Sequence, residues 1–166
     1  MTIDERKKDL RKQIRIAKKQ LTKSIMSEQI CSILKKDEDI NSANTIMLYW
    51  SMDDEVGTHQ FVQDIYQQKR VLLPVVKGDE LELRQFTGLQ NMVEGDHFGI
   101  LEPSGEPFNE IEEIDVIIVP GVAFDRSKNR MGRGKAYYDK LLKQSKANKI
   151  GICFDIQLLD MVPADK

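Results

Sequence analysis

The chain has 166 residues and a mass of 19.1 kDa, with 40% hydrophobic and 31% charged positions, the composition of one soluble globular domain and not of a disordered or fibrous chain. Its two cysteines, Cys31 and Cys153, lie far apart and outside any C-x-x-C frame, which argues against a disulfide framework or a cysteine zinc site and fits a reducing, cytoplasmic setting. The net charge of -2 conceals a segregation, because residues 1–23 carry nine Lys and Arg against three Asp and Glu while the remainder is acidic.

Ile3, Leu10, Ile14, Ala17 and Leu21 recur at helical spacing and predict an amphipathic first helix. Its start is basic but has no apolar core, so it does not read as a secretory signal, and no run of about 18 apolar residues follows anywhere. Lys7, Arg11 and Arg15 follow one another at i, i+4 and i+8, along one edge of the apolar stripe, where their charged ends could reach a cleft or could remain a solvated face. A second helix is expected from Ser24 to Lys36 with Ile25, Ile30, Ile33 and Leu34 turned inward, ending at the polar stretch Asp37 to Asn44.

Thr45 to Trp50 reads as a buried strand, and Thr58 offers an N-cap for a helix carrying Phe61, Ile65 and Tyr66. Val71 to Val76 and Leu81 to Phe86 predict a hairpin turning at Gly78-Asp79. Gly88 to Asn109 is rich in glycine and proline and predicts an irregular surface segment. Ile114 to Val119 is a β-branched run suited to a central strand covered on both faces; a loop through Asn129, a helix from Lys135 to Lys143 and a strand from Lys149 to Phe154 follow. These elements predict a single three-layer α/β/α domain with a largely parallel central sheet.

The densest chemistry lies in PGVAFDRSKNRMGRGKAYYD, Pro120 to Asp139, where a strand runs through a loop carrying Arg126, Lys128, Arg130, Arg133 and Lys135 into a helix. Gly132 and Gly134 would let backbone amides approach a ligand, the helix start adds partial positive charge, and the cations complete a site for phosphate; the other reading is a solvated basic loop. The segment matches neither GxxxxGK[ST] nor a full GxGxxG. Asp139 could hold magnesium or pair with Lys143, Glu55 could orient a ligand amine or remain a solvated loop acid, and Tyr137 and Tyr138 could flank a ring or pack at the core edge.

Other chemistries find no frame. His59 and His97 are the only histidines and neither belongs to H-E-x-x-H, and no G-x-S-x-G elbow is present. Nucleic-acid binding lacks a recognition motif, and the acidic remainder would repel a phosphate backbone.

The segment VPGVAFDRSKNRMGRGKAYYD closely resembles the signature of the 5-formyltetrahydrofolate cyclo-ligase family, also called methenyltetrahydrofolate synthetases. The similarity extends in order through K-x-x-L-R at Lys7 to Arg11, Tyr49 with Glu55-Val56, Leu73-Pro74, Gly99 to Pro103, and Gly151-Ile152 with Phe154 and Gln157. The resemblance implies a cytoplasmic ligase with a three-layer α/β fold that uses ATP and Mg2+ to convert 5-formyltetrahydrofolate into 5,10-methenyltetrahydrofolate through a phosphorylated formyl intermediate. It implies a monomer or weak homodimer with no nucleic-acid or membrane partner.

Carried over by position, Lys7, Lys8, Asp9, Leu10 and Arg11, with Arg15, would grip ATP phosphates. Arg130, Met131, Gly132, Arg133, Gly134, Lys135, Ala136, Tyr137 and Tyr138 would form the main nucleotide loop, Arg133 and Lys135 being the catalytic pair. Met52, Glu55, Pro74, Phe86 and Tyr138 would line the folate pocket, and Asp139 would bind magnesium. Two departures are visible. Ala136 stands where many relatives have glycine, which matters if that position needs a positive φ. Relatives also continue beyond Val162-Pro163 into a segment with a His-Asp pair and a final strand, so the resemblance implies a single domain over residues 1–166 without that last segment. A catalytically silent folate- or nucleotide-binding module is the alternative from another class; a sugar-phosphate or thioester enzyme would need a base or nucleophile that the sequence does not offer.

Overall fold

A computed structural model describes residues 2–95, 100–134 and 136–163. The first helix, α1 (Ile3–Lys18), is closed by a reciprocal cap in which Thr2 Oγ1 accepts from the Glu5 amide at 3.1 Å and the Glu5 carboxylate accepts from the Thr2 amide at 3.0 Å. Next comes α2 (Lys23–Lys35), whose inward face differs from the expected one. Leu34 is buried with Met26, Ile30 and Cys31 beside it, whereas Ile25 and Ile33 are 55% and 69% exposed. The reason is phase: Ser27, Ile30, Cys31 and Leu34 follow at i, i+3, i+4 and i+7 and set the centre of the buried stripe, from which 25 and 33 point away by more than a right angle. The polar stretch after α2 is not simply a break, because Asp37 accepts from the Ile40 amide and starts a short helix, α3 (Glu38–Ser42).

The strand β1 (Thr45–Met47) leads through a loop to α4 (His59–Ile65) and on to β2 (Arg70–Lys77), which pairs with β1 in parallel. Thr58 occupies the N-cap position of α4 but its hydroxyl bonds elsewhere, donating to the Tyr49 carbonyl and accepting from the Ser51 amide. The expected hairpin forms from β2 and β3 (Glu80–Gln85). The irregular segment contains a small hairpin of β4 (Met92–Glu94) and β5 (Leu101–Pro103), and β6 (Pro107–Phe108) adds to the edge of β3.

The buried strand β7 (Val116–Val119) is followed by a second hairpin where a loop was expected, β8 (Ala123–Asp125) and β9 (Arg130–Met131). Its turn closes on the buried Asp125 carboxylate, which accepts from the amides of Ser127, Asn129 and Val162 and from the Asn129 side chain. Then come α5 (Tyr137–Gln144), β10 (Asn148–Gly151) and β11 (Leu158–Leu159), which pairs with β8.

The main sheet runs β10-β7-β1-β2-β3-β6, with its first four strands parallel and β3 reversed between β2 and β6 by antiparallel pairing on both sides. Successive strand residues point to opposite faces, and both faces are covered. Ile46, Leu48, Val71, Leu73, Val116 and Ile118 pack with α2, α3 and α4, while Met47, Leu72, Ile117 and Val119 pack with Leu141 and Leu142 of α5. This is the expected three-layer α/β/α architecture with a largely parallel sheet. The apolar side of α1, Leu10 and Ile14, instead packs on Val122, Ala123, Met131 and Val162 of the small sheet.

Neighbouring residues on α2 give a test of the helix phase. Leu34→Ala should cost about 2–5 kcal/mol, read as a fall in the urea midpoint, because it empties a core position. Ile33→Ala, on the exposed edge, should change stability by no more than about 0.5 kcal/mol.

Candidate active site

Going outward from the seam between β1 and β7, the chain crosses from β1 through α4 to β2 in one direction and from β7 through α5 to β10 in the other. In an open α/β sheet such a reversal leaves a crevice at the carboxyl ends of the two strands. A cleft of about 1300 Å³ lies there, walled by the loop after β1, the loop from β9 into α5, and the cationic edge of α1.

Lys7, Lys8 and Arg11 line this cleft from α1. Arg11 Nε donates to the Gly132 carbonyl at 2.9 Å, tying the helix to the glycine loop. Arg15 is exposed and lies outside the cleft wall, Asp9 accepts from Gln13 and does not line the cleft, and Leu10 packs inward against the small sheet. The predicted row of three cations therefore contributes its first two members, because the helix carries residue 15 past the end of the cleft.

Arg130, Met131, Gly132, Arg133, Gly134, Ala136, Tyr137 and Tyr138 all line the cleft, and Lys135 lies outside the described residues. Arg126 and Lys128 sit instead at the tip of the β8–β9 hairpin, away from it. Arg130 is set by three contacts: Nε donates to the Pro120 carbonyl at 2.6 Å, Nη1 lies 3.3 Å from Asp139, and the guanidinium stands 5.2 Å from the Tyr138 ring centre. Burial pushes the Tyr138 phenol up, the nearby Glu55 charge adds to that, and Arg130 opposes it.

The backbone between β9 and α5 is unusual. Gly134 has φ +105° and Ala136 has φ +59°, in the left-handed region. Alanine thus occupies a position of the kind that favours glycine, and no described side chain caps the first amides of α5.

From the loop after β1 Met52 and Glu55 reach the cleft, as does the half-buried Pro74 of β2, whereas Phe86, expected in the folate pocket, is 1% exposed and does not line the cleft, because it packs in the core against Trp50 at 5.7 Å between rings. Glu55 accepts from the Met52 amide at 2.8 Å. Burial pushes its carboxyl above the usual glutamate range, against the opposing effects of that amide and of Arg133. Asp54 meets Arg133 Nη2 at 2.8 Å; burial pushes its carboxyl up, but the hydrogen bond and charge of Arg133 outweigh it and the net shift is downward.

Three participants were missed in the sequence. Trp50 was read as the end of a strand, yet it lines the cleft with His59 stacked on it at 3.8 Å. Asp54 stands beside Glu55 with no local pattern to distinguish it, and it is the residue that meets Arg133. Lys18 at the end of α1 is 4% exposed and its ammonium feels Asp54, Arg133 and Glu55, which no local pattern signals.

Asp139 is 59% exposed, with Arg130 as its ion-pair partner in place of Lys143. Among the described residues no three His, Cys, Asp or Glu side chains gather as a metal cage. A single accessible carboxylate beside a basic loop fits magnesium that arrives on phosphates and keeps most of its waters. Among the described residues no helix is long and apolar enough to cross a membrane.

Two expectations follow. Glu55 has a raised carboxyl, so the folded chain holds that proton more tightly than the unfolded one, and stability falls as pH rises from the usual value of 4.5 through the folded value. Glu55→Gln lacks this loss, so urea midpoints at about pH 4 and about pH 7 should show the variant gaining on the wild type at the higher pH. Ala136→Gly should raise Tm, with a net gain of up to about 1 kcal/mol, since relief of the left-handed strain exceeds the added freedom of the unfolded chain.

A model of the 5-formyltetrahydrofolate cyclo-ligase family matches residues 3–166. The chain is 34% identical over 134 residues to the 5-formyltetrahydrofolate cyclo-ligase of Haemophilus influenzae, covering 74% of this chain and 70% of that one. It is 25% identical over 187 residues to the mouse enzyme, covering 100% of this chain and 91% of that one. The solved structure of Aquifex aeolicus 5,10-methenyltetrahydrofolate synthetase superposes with a TM-score of 0.85 at 34% identity, covering 96% of this chain and 84% of that one. The glycine-rich basic loop, the acid-bearing loop opposite it and these likenesses lead to one assignment: the chain belongs to the 5-formyltetrahydrofolate cyclo-ligase family of ligases.

Proposed function

We propose that this chain, acting over residues 1–166 as a single domain, uses ATP and Mg2+ to close 5-formyltetrahydrofolate into 5,10-methenyltetrahydrofolate with release of ADP and phosphate. The observation that carries the reading is the meeting, in one cleft, of a basic glycine loop with a wall bearing the buried Glu55. In this family member the first suits a triphosphate and the second a heteroaromatic substrate with an N–H edge.

The formyl oxygen attacks the γ-phosphorus and the bond to ADP breaks; the second folate nitrogen then attacks the formyl carbon, and the carbon–oxygen bond breaks as phosphate departs. No side-chain nucleophile is required, so the protein positions two substrates and stabilises charge on the phosphoryl group. Lys7, Lys8, Arg11 and Arg130 receive the triphosphate, with the uncapped amides of α5 beneath it. Arg133, on the side of the loop facing Glu55, meets the transferring group, and Lys135 joins it. Glu55 orients the pterin or formyl end against walls of Met52, Pro74, Trp50 and Tyr138. Asp139 holds magnesium, which neutralises phosphate charge when bound. The enzyme works in the cytoplasm as a monomer or weak homodimer, with neither nucleic acid nor membrane as partner.

Absorbance of the methenyl product should rise when the chain is mixed with 5-formyltetrahydrofolate, magnesium and ATP, and stay flat without ATP or with a chelator. Arg133→Ala should lower kcat by about a hundredfold. Product at the wild-type rate from that variant would sink its role, and ligand-dependent stabilisation without product would favour the binding-module alternative.

A further inference from the structure

Arg133 is held from a distant part of the chain. Its Nη2 donates to Asp54 at 2.8 Å across the cleft, while the same atom stands 3.9 Å from the Glu55 carboxylate. Asp54 and Glu55 lie on the loop after β1 and Arg133 on the loop before α5, so these contacts join the wall assigned to folate to the loop assigned to ATP. Lys18 comes from a third element, buried at the end of α1, and its charge acts on Asp54, Arg133 and Glu55.

The pair is not a stability device. The side chains of Arg133 and Asp54 are 46% and 37% exposed, and ion pairs with that much solvent contribute little to folding. Its effect is geometric. A guanidinium is a planar fork, and engaging one Nη leaves Nε and the other Nη free to meet an oxyanion in a fixed plane. Glu55 competes for the same Nη2 atom. Without Asp54 the fork would rotate onto Glu55, neutralising the carboxylate needed for the folate and removing the cation from the phosphoryl path.

We propose that Asp54 is the positioning residue for Arg133, holding its guanidinium between the two substrates and off Glu55. This rests on the reaction proposed above.

The test compares the wild type with Asp54→Ala, Asp54→Asn, Arg133→Ala and the Asp54→Ala/Arg133→Ala double variant, with kcat and the KM for ATP taken separately from methenyl absorbance. Asp54→Ala should lower kcat by about tenfold to a hundredfold and shift the KM for ATP by less than about threefold, since alignment and not ground-state binding is lost. Asp54→Asn keeps an acceptor oxygen and should recover part of kcat. In the Arg133→Ala background, removing Asp54 should cost less than about twofold further, because the group it positions is gone. Melting temperatures should stay close to the wild type throughout. An active wild type with unchanged kcat in Asp54→Ala, or an undiminished Asp54→Ala penalty without Arg133, overturns the positioning role alone. A folded wild type that makes no product overturns the reaction and this proposal together.

Discussion

The site depends on a reversal of winding between β1 and β7. Parallel strands are joined by crossovers of one hand, so chains leaving this seam in opposite directions place their helices on opposite faces of the sheet. Here α4 falls on one face and α5 on the other, and neither roofs the carboxyl ends of the two strands at which the reversal occurs. The opposite ends of the same strands are fastened: the Asp115 carboxylate, at the head of β7, accepts from the amides of Asn44 and Thr45 at 2.8 and 3.0 Å. A seam closed at one end and open at the other brings the loop after β1 and residues 130–134 together at one cleft without any direct signal between them in the chain.

Charge is distributed over that opening unevenly. Arg11 and Arg130 each spend a hydrogen bond on a backbone carbonyl, which fixes the side chain without cancelling its charge. Of the acids, Asp125 is consumed by the β8–β9 turn and by Val162, and Asp54 and Asp139 each face an arginine. Glu55 differs in that Arg133 stands 3.9 Å from it, farther than from Asp54, and burial holds its carboxyl above its usual range. Cations fastened to the frame on one side therefore stand against one largely shielded acid on the other.

What could be read in the sequence follows the range of the forces involved. The stripe of α1, the β-branched run of β7 and the hairpin of β2 and β3 are local patterns, and each element formed close to its expected bounds. The glycine loop was legible because its residues are contiguous. Ile25 and Ile33 were misplaced because several phases of an apolar-rich helix look equally good until the sheet selects one. The β8–β9 hairpin was hidden because its turn is closed by one aspartate and by Val162, distant in sequence. Trp50, Lys18 and the Asp54–Arg133 contact belong to the cleft through tertiary packing, and Arg15 and Phe86 are excluded by it.

Ala136 departs from the local rule for starting a helix. Helices are ordinarily started by Ser, Thr, Asp or Asn, whose side-chain oxygen satisfies a free amide. Ala136 brings no such oxygen, and no described side chain caps the start of α5 beside the cleft. A residue without a polar side chain leaves those amides open. The turn from β9 into a helix on the far face of the sheet further requires left-handed backbone, present at both Gly134 and Ala136. The loop cannot relax this conformation piecemeal, since the Arg11 bond to Gly132 holds one end and the packing of Leu141 under α5 holds the other. Strain at Ala136 is therefore retained by two anchors, and the uncapped amides it leaves behind are the part of the cleft that depends least on any side chain.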